Sequence, residues 1–115
     1  MNINQIAVMV HENAKVHGFH PQEEHINIFL ANQINNLHGE VSELWDAFRA
    51  DKFGEPTDKH IMFCGHFMTN AEEEYADIII RCLDQMERLG LNPEACIIAK
   101  HEYNVNRPYK HGKLN

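Results

Sequence analysis

Two pairs of acidic residues carry the chemistry that this chain most clearly offers: Glu40 with Glu43, and Glu74 with Asp77. Each pair lies in a segment whose apolar residues recur with helical spacing, and residues three apart share one face of a helix. If the two helices pack together, four carboxylates converge, and such a group of like charges requires a compensating cation. Carboxylate oxygens are the ligands that Mg²⁺ and Mn²⁺ prefer. The sequence therefore predicts a site for Mg²⁺, or alternatively Mn²⁺, made of these four carboxylates.

The length and composition indicate one soluble domain over residues 1–115. A chain of 115 residues encloses one core but not two, and 43% hydrophobic and 23% charged residues are ordinary for a globular protein. Its apolar stretches are too short to span a membrane, and its first residues lack the pattern of a signal peptide. The three cysteines have no familiar spacing, which predicts free thiols in a reducing cytoplasm; they are Cys64, Cys82 and Cys96.

The distribution of charge points to a small polyanion as the partner. The formal net charge is −7, and most of the 17 acidic residues lie between Glu40 and Glu87. From Lys100 onward, basic residues outnumber the single acid, Glu102. An acidic centre with a basic end is poorly suited to wrapping a nucleic-acid backbone. It suits a ligand bridged by a metal on one side and by basic groups on the other.

Apolar periodicity and helix-end signals predict an all-α, four-helix, bundle-like fold. The first helix is expected over Ile3 to His17, with Gly18 as its C-terminal cap. The second is expected to begin near Pro21, with Glu23 and Glu24 in its first turn. Its predicted core face is an apolar stripe of Ile26, Leu30, Ile34, Leu37, Val41, Leu44 and Phe48.

The third and fourth helices are expected in the second half of the chain. The third is predicted to start at Thr69 or Asn70, because Asn70 and Glu73 resemble a capping box. It is predicted to end at Gly90. The fourth is predicted to be opened by Asn92-Pro93 and to run to about Asn104.

Residues 51–69 form the least regular part of the sequence. A turn is expected at Lys52–Pro56 and a short helix over Ile61 to Met68. Three residues of this segment suit zinc by type, but no second ligand pair accompanies them, so an ordinary loop is expected. They are His60, Cys64 and His66.

A polar stripe runs beside the apolar one on the second helix and consists of Gln33, Asn36, Glu40 and Glu43. Gly39 interrupts it at a cost of about 1 kcal/mol relative to alanine. This glycine is either a tolerated defect or a position where a ligand or another backbone approaches closely beside Glu40. Both interpretations stay open at the level of sequence.

Two charged residues follow the second acidic pair. Asp84 comes seven residues after Asp77, near the same helix face, where it would join the site as an outer ligand. Arg81 lies between them and would equally pair with both acids in a structural network.

A basic group occupies the end of the chain. Lys100 and Asn104 lie one turn apart on the fourth helix, and cationic and amide donors of this kind suit phosphate oxygens. The alternative is an ordinary solvated basic tail. The group is completed by Arg107, Lys110 and Lys113.

Three segments in this order resemble the MazG-like, all-α nucleotide pyrophosphohydrolase superfamily, which is related to dimeric dUTPases and phosphoribosyl-ATP pyrophosphohydrolases. They are HGEVSELWDAF, EEEYADIIIRCLD and KHEYNVNRPYKHGK. The joint Gly18-Phe19 is also similar. The resemblance covers nearly the whole chain except residues 51–69.

The resemblance implies hydrolysis of a nucleoside triphosphate to the monophosphate and pyrophosphate. Glu40, Glu43, Glu74 and Asp77 would then ligate Mg²⁺, and Glu40 or Glu43 would also orient or deprotonate the attacking water. Lys100, Asn104, Arg107 and Lys110 would hold the phosphates. The candidates for nucleoside contacts are Gln33, Asn36, His38 and Trp45, although Trp45 is equally suited to the core.

The resemblance further implies a homodimer or homotetramer, with the site completed by a second subunit. Two departures from the family pattern bear on substrate identity more than on the reaction. Gly39-Glu40 stands where the family often has two glutamates, and the connection between the acidic motifs contains an unusual stretch rich in Met, His and Phe.

Two other kinds of helical protein compete with the interpretation as a nucleotide pyrophosphohydrolase. A di-iron carboxylate bundle needs Glu-x-x-His motifs, and none of the nine histidines has an acid three residues before it. A bundle that binds nucleotides or proteins without turnover is the stronger alternative. Converging carboxylates would destabilise a bundle that holds no metal, but they do not exclude binding alone.

Overall fold

The structure, a computed structural model, describes residues 1–22 and 24–108. Over these residues the chain is mostly helical, as predicted, with four helices and one short hairpin. The helices are α1 (Ile3–Val16), α2 (Ile26–Arg49), α3 (Asn70–Arg88) and α4 (Pro93–Val105), and the strands are β1 (Met62–Phe63) and β2 (His66–Phe67). Glu23, expected in the first turn of the second helix, lies outside the described residues.

Helix α1 begins and ends close to where the sequence predicts. Asn2 is its N-cap: the Asn2 side chain accepts from the Gln5 N–H, and the Gln5 side chain accepts from the Asn2 N–H, each at 2.8 Å. Gly18 follows the helix with φ of +81°, which a glycine adopts without strain. The Phe19 N–H then bonds back to the Ala14 carbonyl at 3.0 Å. This turn sends the chain from α1 toward α3.

The prediction that the second helix begins near Pro21 is wrong, because α2 begins at Ile26. His25 is its N-cap, and the His25 ring nitrogen Nδ1 accepts from the Asn27 N–H at 3.1 Å. The side chain of His20 is buried against Asp84 of α3. None of the described residues between His20 and Ile26 is helical, so α2 starts only after the chain has left this buried anchor.

The capping box of α3 uses a different pair from the one predicted. Thr69 is the N-cap, with its hydroxyl accepting from the Glu72 N–H at 3.2 Å and its own N–H donating to the Glu72 carboxylate at 2.9 Å. Asn70 instead donates its side-chain amide to the Lys52 carbonyl. Because Glu72 makes the cap, Glu73 is free to turn inward, where it is buried.

The ends of α3 and α4 follow the predicted signals. Gly90 has φ of +71°, and the Leu91 N–H bonds to the Met86 carbonyl at 2.9 Å, as expected for a glycine-terminated helix. Asn92 caps α4 by accepting from the Ala95 N–H at 3.1 Å, and Pro93 is the first helical residue. Helix α4 ends at Val105, one residue beyond the predicted end.

The short helix predicted over Ile61 to Met68 is wrong, since this segment forms the β1–β2 hairpin. Met62 pairs with Phe67 and Phe63 with His66. The two residues between the strands, Cys64 and Gly65, both have positive φ, which is the backbone of a tight two-residue hairpin turn. The turn geometry therefore overrides the helical reading.

The zinc alternative for the hairpin gains no support from its geometry. Cys64 is exposed at the turn, and the His66 ring is paired with the Glu72 carboxylate at 3.1 Å. Among the described residues, His60, Cys64 and His66 do not form a cluster with metal-ligand spacing. All three cysteines are free thiols, as expected.

Helix α3 packs against both α1 and α2, while α4 packs against α1 and α3. Among the described residues, few hydrophobic side chains are buried by this arrangement: Ala7, Phe29 and Leu83, with Pro93 buried as well. The predicted core face of α2 is instead largely exposed, with Ile34 at 52%, Val41 at 48% and Phe48 at 57% exposure. The isolated chain thus leaves much of its apolar surface open on α2. No helix within the described part of the chain is long and apolar enough to cross a membrane.

Replacing Thr69 with alanine tests the observed cap. Thr69→Ala removes the hydroxyl acceptor for the Glu72 N–H and should lower the free energy of unfolding by about 1 kcal/mol. Thr69→Ser keeps an acceptor at the same position and should retain most of that stability. Chemical denaturation of both variants at one fixed protein concentration provides the measurement. Equal stability of the two variants would contradict the assigned cap.

Candidate metal centre

The packing of α2 against α3 brings the two acidic pairs together. Glu40 of α2 and Glu74 and Asp77 of α3 each offer a carboxylate oxygen, and these three oxygens lie within 4.8 Å of one another. All three residues are half-buried. Glu43 is more exposed and lies at the edge of this group, where its carboxyl interacts with those of Glu40 and Glu74. We call these four residues the carboxylate cluster.

Arg81 balances part of the negative charge. Its Nε donates to Oε1 of Glu40 at 2.8 Å, and its guanidinium lies over the Phe19 ring at 5.7 Å from the centroid. Arg81 also lowers the pKa of Asp77, although burial and neighbouring acids raise it more. The expected pairing of Arg81 with both Asp77 and Asp84 is not observed: among the described residues its ion pair is with Glu40, and Asp84 is engaged by two histidines.

Two oxygens of the carboxylate cluster are buried without a hydrogen-bond partner among the described residues. They are Oε2 of Glu40 and Oε2 of Glu74. Buried polar atoms in folded proteins nearly always have a partner, since an unmade hydrogen bond costs about 1–3 kcal/mol. Two such oxygens in a group of converging carboxylates are what a cation site of hard oxygen ligands requires. The residues present therefore fit Mg²⁺ or Mn²⁺.

The pKa values of the carboxylate cluster also show that its negative charge is not fully balanced by positive charge. Burial raises the pKa of Glu74 to about 7, with repulsion from Glu43 and Asp77 adding to the effect. The pKa of Glu43 is raised by burial and then by Glu40, and that of Asp77 is raised by burial and then by Glu40 and Glu73. In each case proximity to other acids disfavours the ionised form. A divalent cation would reverse this preference.

Two residues near the carboxylate cluster, Lys59 and Glu73, were not among the predicted site residues. Lys59 reaches from the segment before the hairpin and donates from Nζ to Oε1 of Glu73 at 2.7 Å. Glu73 is buried, and its repulsion contributes to the raised pKa of Asp77. Helical spacing signals the position of Glu73, four residues before Asp77. No local pattern signals Lys59, because its approach depends on the path of an irregular segment.

A cavity of about 540 Å³ lies beside the carboxylate cluster, between α1 and α3. Its polar lining includes Glu40, Asp77 and Arg81, so that carboxylate and guanidinium groups face the same space. The remaining lining comes from α1, from Phe19 and from α3, and consists of Met9, Val10, Asn13, Ala14, Phe19, Ile80 and Asp84. Ligand pockets typically occupy about 300–1,000 Å³, so this cavity has room for the organic part of a small ligand.

The predicted nucleoside contacts lie elsewhere on α2. Gln33 is buried, and its carbonyl accepts from the Gln85 side chain at 3.2 Å. Asn36 and His38 are exposed. Trp45 is 56% exposed and lies against Phe48, with the two ring centroids 5.7 Å apart. None of these four lines the cavity beside the carboxylate cluster, and their role in nucleoside binding stays a prediction.

Trp45 belongs instead to an apolar groove of about 380 Å³ that α2 forms with Phe53 and with Tyr75 of α3. The residues that line it are Val41, Leu44, Trp45, Phe48, Phe53 and Tyr75. The interpretation of Trp45 as a core residue is therefore not met within one chain. The groove is an open continuation of the exposed apolar face of α2.

The predicted phosphate-binding residues gather around Tyr103 on α4. The Lys100 ammonium lies 4.5 Å and the Arg107 guanidinium 5.6 Å from the centroid of the Tyr103 ring. Asn104 has a buried Oδ1 without a partner among the described residues. None of these residues lines the cavity. Lys110 and Lys113 lie outside the described residues.

The interpretation of Gly39 is narrowed but not decided. A Cβ placed on Gly39 would meet no atom of the other described residues within 4 Å. Close approach of another described part of the chain is therefore not the reason for this glycine. A tolerated defect and approach by a ligand both stay open.

Comparison with protein-family models, with curated proteins and with solved structures finds no match to this chain. The geometry of the carboxylate cluster and of the cavity beside it is therefore the main guide to function.

Glu74 should make stability depend on pH when no divalent cation is present. Since the pKa of Glu74 is about 7 in the folded chain against an ordinary 4.5, the folded state holds a proton that the unfolded state has lost between these values. The free energy of unfolding should therefore fall as pH rises from about 4.5 to about 7. The fall should be smaller in Glu74→Gln and with added Mg²⁺.

Denaturation in EDTA at several pH values measures this effect. Glu102→Gln, a change at an exposed α4 position, is the matched control and should keep the wild-type profile. A profile that is the same in Glu74→Gln and in the wild-type protein would contradict the electrostatic account of the cluster.

Proposed function

We propose that the protein hydrolyses a nucleoside triphosphate to the monophosphate and pyrophosphate, with Mg²⁺ as cofactor and Mn²⁺ as a possible substitute. The observation that carries the proposal is the carboxylate cluster beside a cavity of about 540 Å³, with two buried oxygens that have no partner in the described part of the chain. The order of the three sequence segments that resemble the MazG-like superfamily supports it. The proposal includes a MazG-type helical bundle that is completed by oligomerisation.

Glu40, Glu74 and Asp77 are the proposed metal ligands. One oxygen of each lies within 4.8 Å of the others, and Arg81 holds Glu40 by Oε1, which leaves Oε2 buried without a partner among the described residues. Mg²⁺ bound here would neutralise phosphate oxygens and lower the pKa of a bound water. With Glu43 as the fourth carboxylate, the donor set contains only oxygens, the ligand type that Mg²⁺ prefers.

Glu43 is the better of the two candidates for orienting or deprotonating the attacking water. It lies at the exposed edge of the cluster, with no cationic partner in the part of the chain described, whereas Glu40 is engaged by Arg81. Burial and the adjacent Glu40 raise the pKa of Glu43, which strengthens it as a base. Glu43 also belongs to the proposed ligand set, so both roles remain with the same carboxylate.

The cavity beside the cluster is the proposed place for the nucleoside. Its walls combine apolar side chains such as Val10 and Ile80 with the Phe19 ring, while Asn13 supplies an amide. A mainly apolar pocket with a few polar groups suits a base and sugar. Arg81, at the boundary between the cavity and the cluster, is well placed by charge for a phosphate oxygen.

Association into a homodimer or homotetramer is the proposed reason for the exposed apolar face of α2. Monomeric proteins rarely expose large contiguous apolar patches, and Val41, Trp45 and Phe48 are each about half exposed or more. The groove that they form with Phe53 and Tyr75 continues this face. Since Lys100, Asn104 and Arg107 do not line the cavity of their own chain, phosphate contacts from a second subunit are part of the proposal.

Nucleotide binding without turnover is the second candidate function. It uses the same carboxylate cluster and cavity and differs only in whether the α-phosphorus is attacked. A protein that binds Mg²⁺ and nucleotides but releases no pyrophosphate would have this function.

Pyrophosphate release from a panel of ordinary and modified nucleoside triphosphates tests the reaction. Glu74→Gln and Asp77→Asn each remove one proposed metal ligand and should lower the rate at least about 100-fold, since loss of a group that only supports a ligand already costs 10- to 100-fold. Circular dichroism should show the helices intact, because neither residue is needed for a helix cap. Glu102→Gln, on exposed surface of α4, should keep the wild-type rate.

Absence of pyrophosphate from every triphosphate in the presence of Mg²⁺ and Mn²⁺ would refute the enzymatic proposal. Wild-type rates in both cluster variants would refute the assignment of the site while leaving the activity itself.

A charge on the apolar face of α2 tests the proposed association. Val41→Glu places a carboxylate in the groove and should shift the protein from dimer or tetramer to monomer in sedimentation velocity, because an unpaired buried charge is costly. Ser42→Glu adds the same charge one residue away, at an exposed position outside the groove, and should leave the assembly intact. A wild-type protein that sediments as a monomer at all concentrations would contradict the proposal.

A further inference from the structure

We propose that His11, His20 and Asp84 form a second metal site, distinct from the carboxylate cluster, for a divalent transition-metal ion of the zinc type. These residues belong to neither acidic motif. They come from three separate segments: α1, the turn that follows it, and α3. Neither the proposed hydrolysis nor the resemblance assigns them a role.

The three side chains present their ligand atoms to one point. Nδ1 of His11 lies 2.8 Å from Oδ1 of Asp84, and Nε2 of His20 lies 2.7 Å from Oδ1 and 2.8 Å from Oδ2 of the same carboxylate. Ligands at about 2.0–2.2 Å from zinc in a tetrahedral site are roughly 3.3 Å apart. The nitrogen–oxygen separations would therefore have to widen by only about 0.5 Å to admit an ion.

Burial holds these groups in place. The exposed fractions of the side chains are 13% for His11, 1% for His20 and 8% for Asp84. The His20 ring packs between the rings of His11 and Phe29, with centroid distances of 4.6 Å and 4.9 Å. Side chains fixed in this way lose little conformational freedom when a metal binds, which favours tight binding.

The chemistry of the ligands separates this site from the carboxylate cluster. Two imidazole nitrogens with one carboxylate favour zinc and its transition-metal neighbours, whereas Mg²⁺ prefers oxygen ligands alone. Glu40, Glu74 and Asp77 offer only oxygens. The two groups should therefore bind different ions from a mixture.

One of the three proposed ligands borders the cavity beside the carboxylate cluster: Asp84 lines it together with Glu40 and Asp77, whereas His11 and His20 do not. With three protein ligands, a fourth position remains for water or for a donor atom of a molecule in the cavity. An ion here would also connect α1 to α3 and stabilise the fold by binding the folded state alone.

The competing explanation is a hydrogen-bonded cluster in which both histidines donate to Asp84 and no metal binds. The two explanations differ in a measurable way, because only the first gives metal affinity that depends on these three side chains. The two explanations also differ in the visible spectrum expected with Co²⁺. Co²⁺ in a tetrahedral protein site absorbs visible light much more strongly than octahedral hexaaqua Co²⁺ does.

The test uses the full chain without an affinity tag, freed of metal with EDTA and titrated calorimetrically with Zn²⁺ in the presence of millimolar Mg²⁺. We expect one equivalent of Zn²⁺ per chain, and strong visible bands when Co²⁺ replaces it. His11→Gln and Asp84→Asn should each weaken Zn²⁺ binding at least about tenfold. His11 is the least buried of the three, so its variant should fold, which circular dichroism would verify.

Two matched variants locate the bound ion. The double variant Cys64→Ser with His66→Gln removes the zinc-type side chains of the hairpin, and Glu74→Gln removes a carboxylate of the cluster. Both should bind Zn²⁺ as the wild-type protein does. Failure of the proposed hydrolysis would leave these results unchanged, so the two proposals are tested separately.

Zinc affinity that is absent in the wild-type protein, or unchanged in both His11→Gln and Asp84→Asn, would overturn the proposal in favour of the hydrogen-bonded cluster. Affinity lost in the hairpin variant would overturn it as well, by placing the ion at Cys64 and His66.

Discussion

The mutual repulsion of carboxylates at the contact between α2 and α3 is the constraint on which the rest of the structure depends. Glu40, Glu74 and Asp77 converge there, and burial together with the neighbouring acids raises the pKa of Glu74 to about 7. A contact of this kind weakens the packing of the two helices unless positive charge is supplied. Arg81 supplies part of it through Glu40, and Lys59 supplies part through Glu73. The remaining unpartnered oxygens are the physical argument for a divalent cation.

The distribution of polar and apolar side chains follows from the same arrangement. Helix α3 contacts both α1 and α2, and its buried residues include Glu73, Asp84 and Gln85 beside the single leucine Leu83. The interior is thus used to hold charged and amide groups in fixed positions. Apolar side chains that would fill the core of an ordinary four-helix bundle remain outside, on α2 above all. Association of chains and binding of cations would each add stability that the isolated chain lacks.

The two polar groups on α3 occupy successive positions along one cavity. Asp77 and Asp84 are seven residues, or about two helical turns, apart, and both line the space of about 540 Å³. Their surroundings differ: Asp77 lies among carboxylates, whereas Asp84 is held by His11 and His20. The same helix face therefore presents two chemically different sites to whatever the cavity holds. The expectation that Asp84 is an outer member of the carboxylate cluster is replaced by this separate arrangement.

Local sequence determined the four helices, most of their ends, and the carboxylates that converge, because caps, apolar periodicity and three-residue spacing act within one or two helical turns. The cap of α3 by Thr69 and Glu72 is also a local pattern, although the prediction favoured Asn70 and Glu73. The tertiary structure decided the hairpin at Cys64-Gly65 and the delayed start of α2 after the buried His20. It also decided the approach of Lys59 to Glu73 and of His11 and His20 to Asp84, since these contacts join residues far apart in the chain. The burial of the predicted core face of α2 likewise could not be predicted from local sequence. Periodicity identifies an apolar stripe, but whether that stripe is buried depends on which helices pack against it.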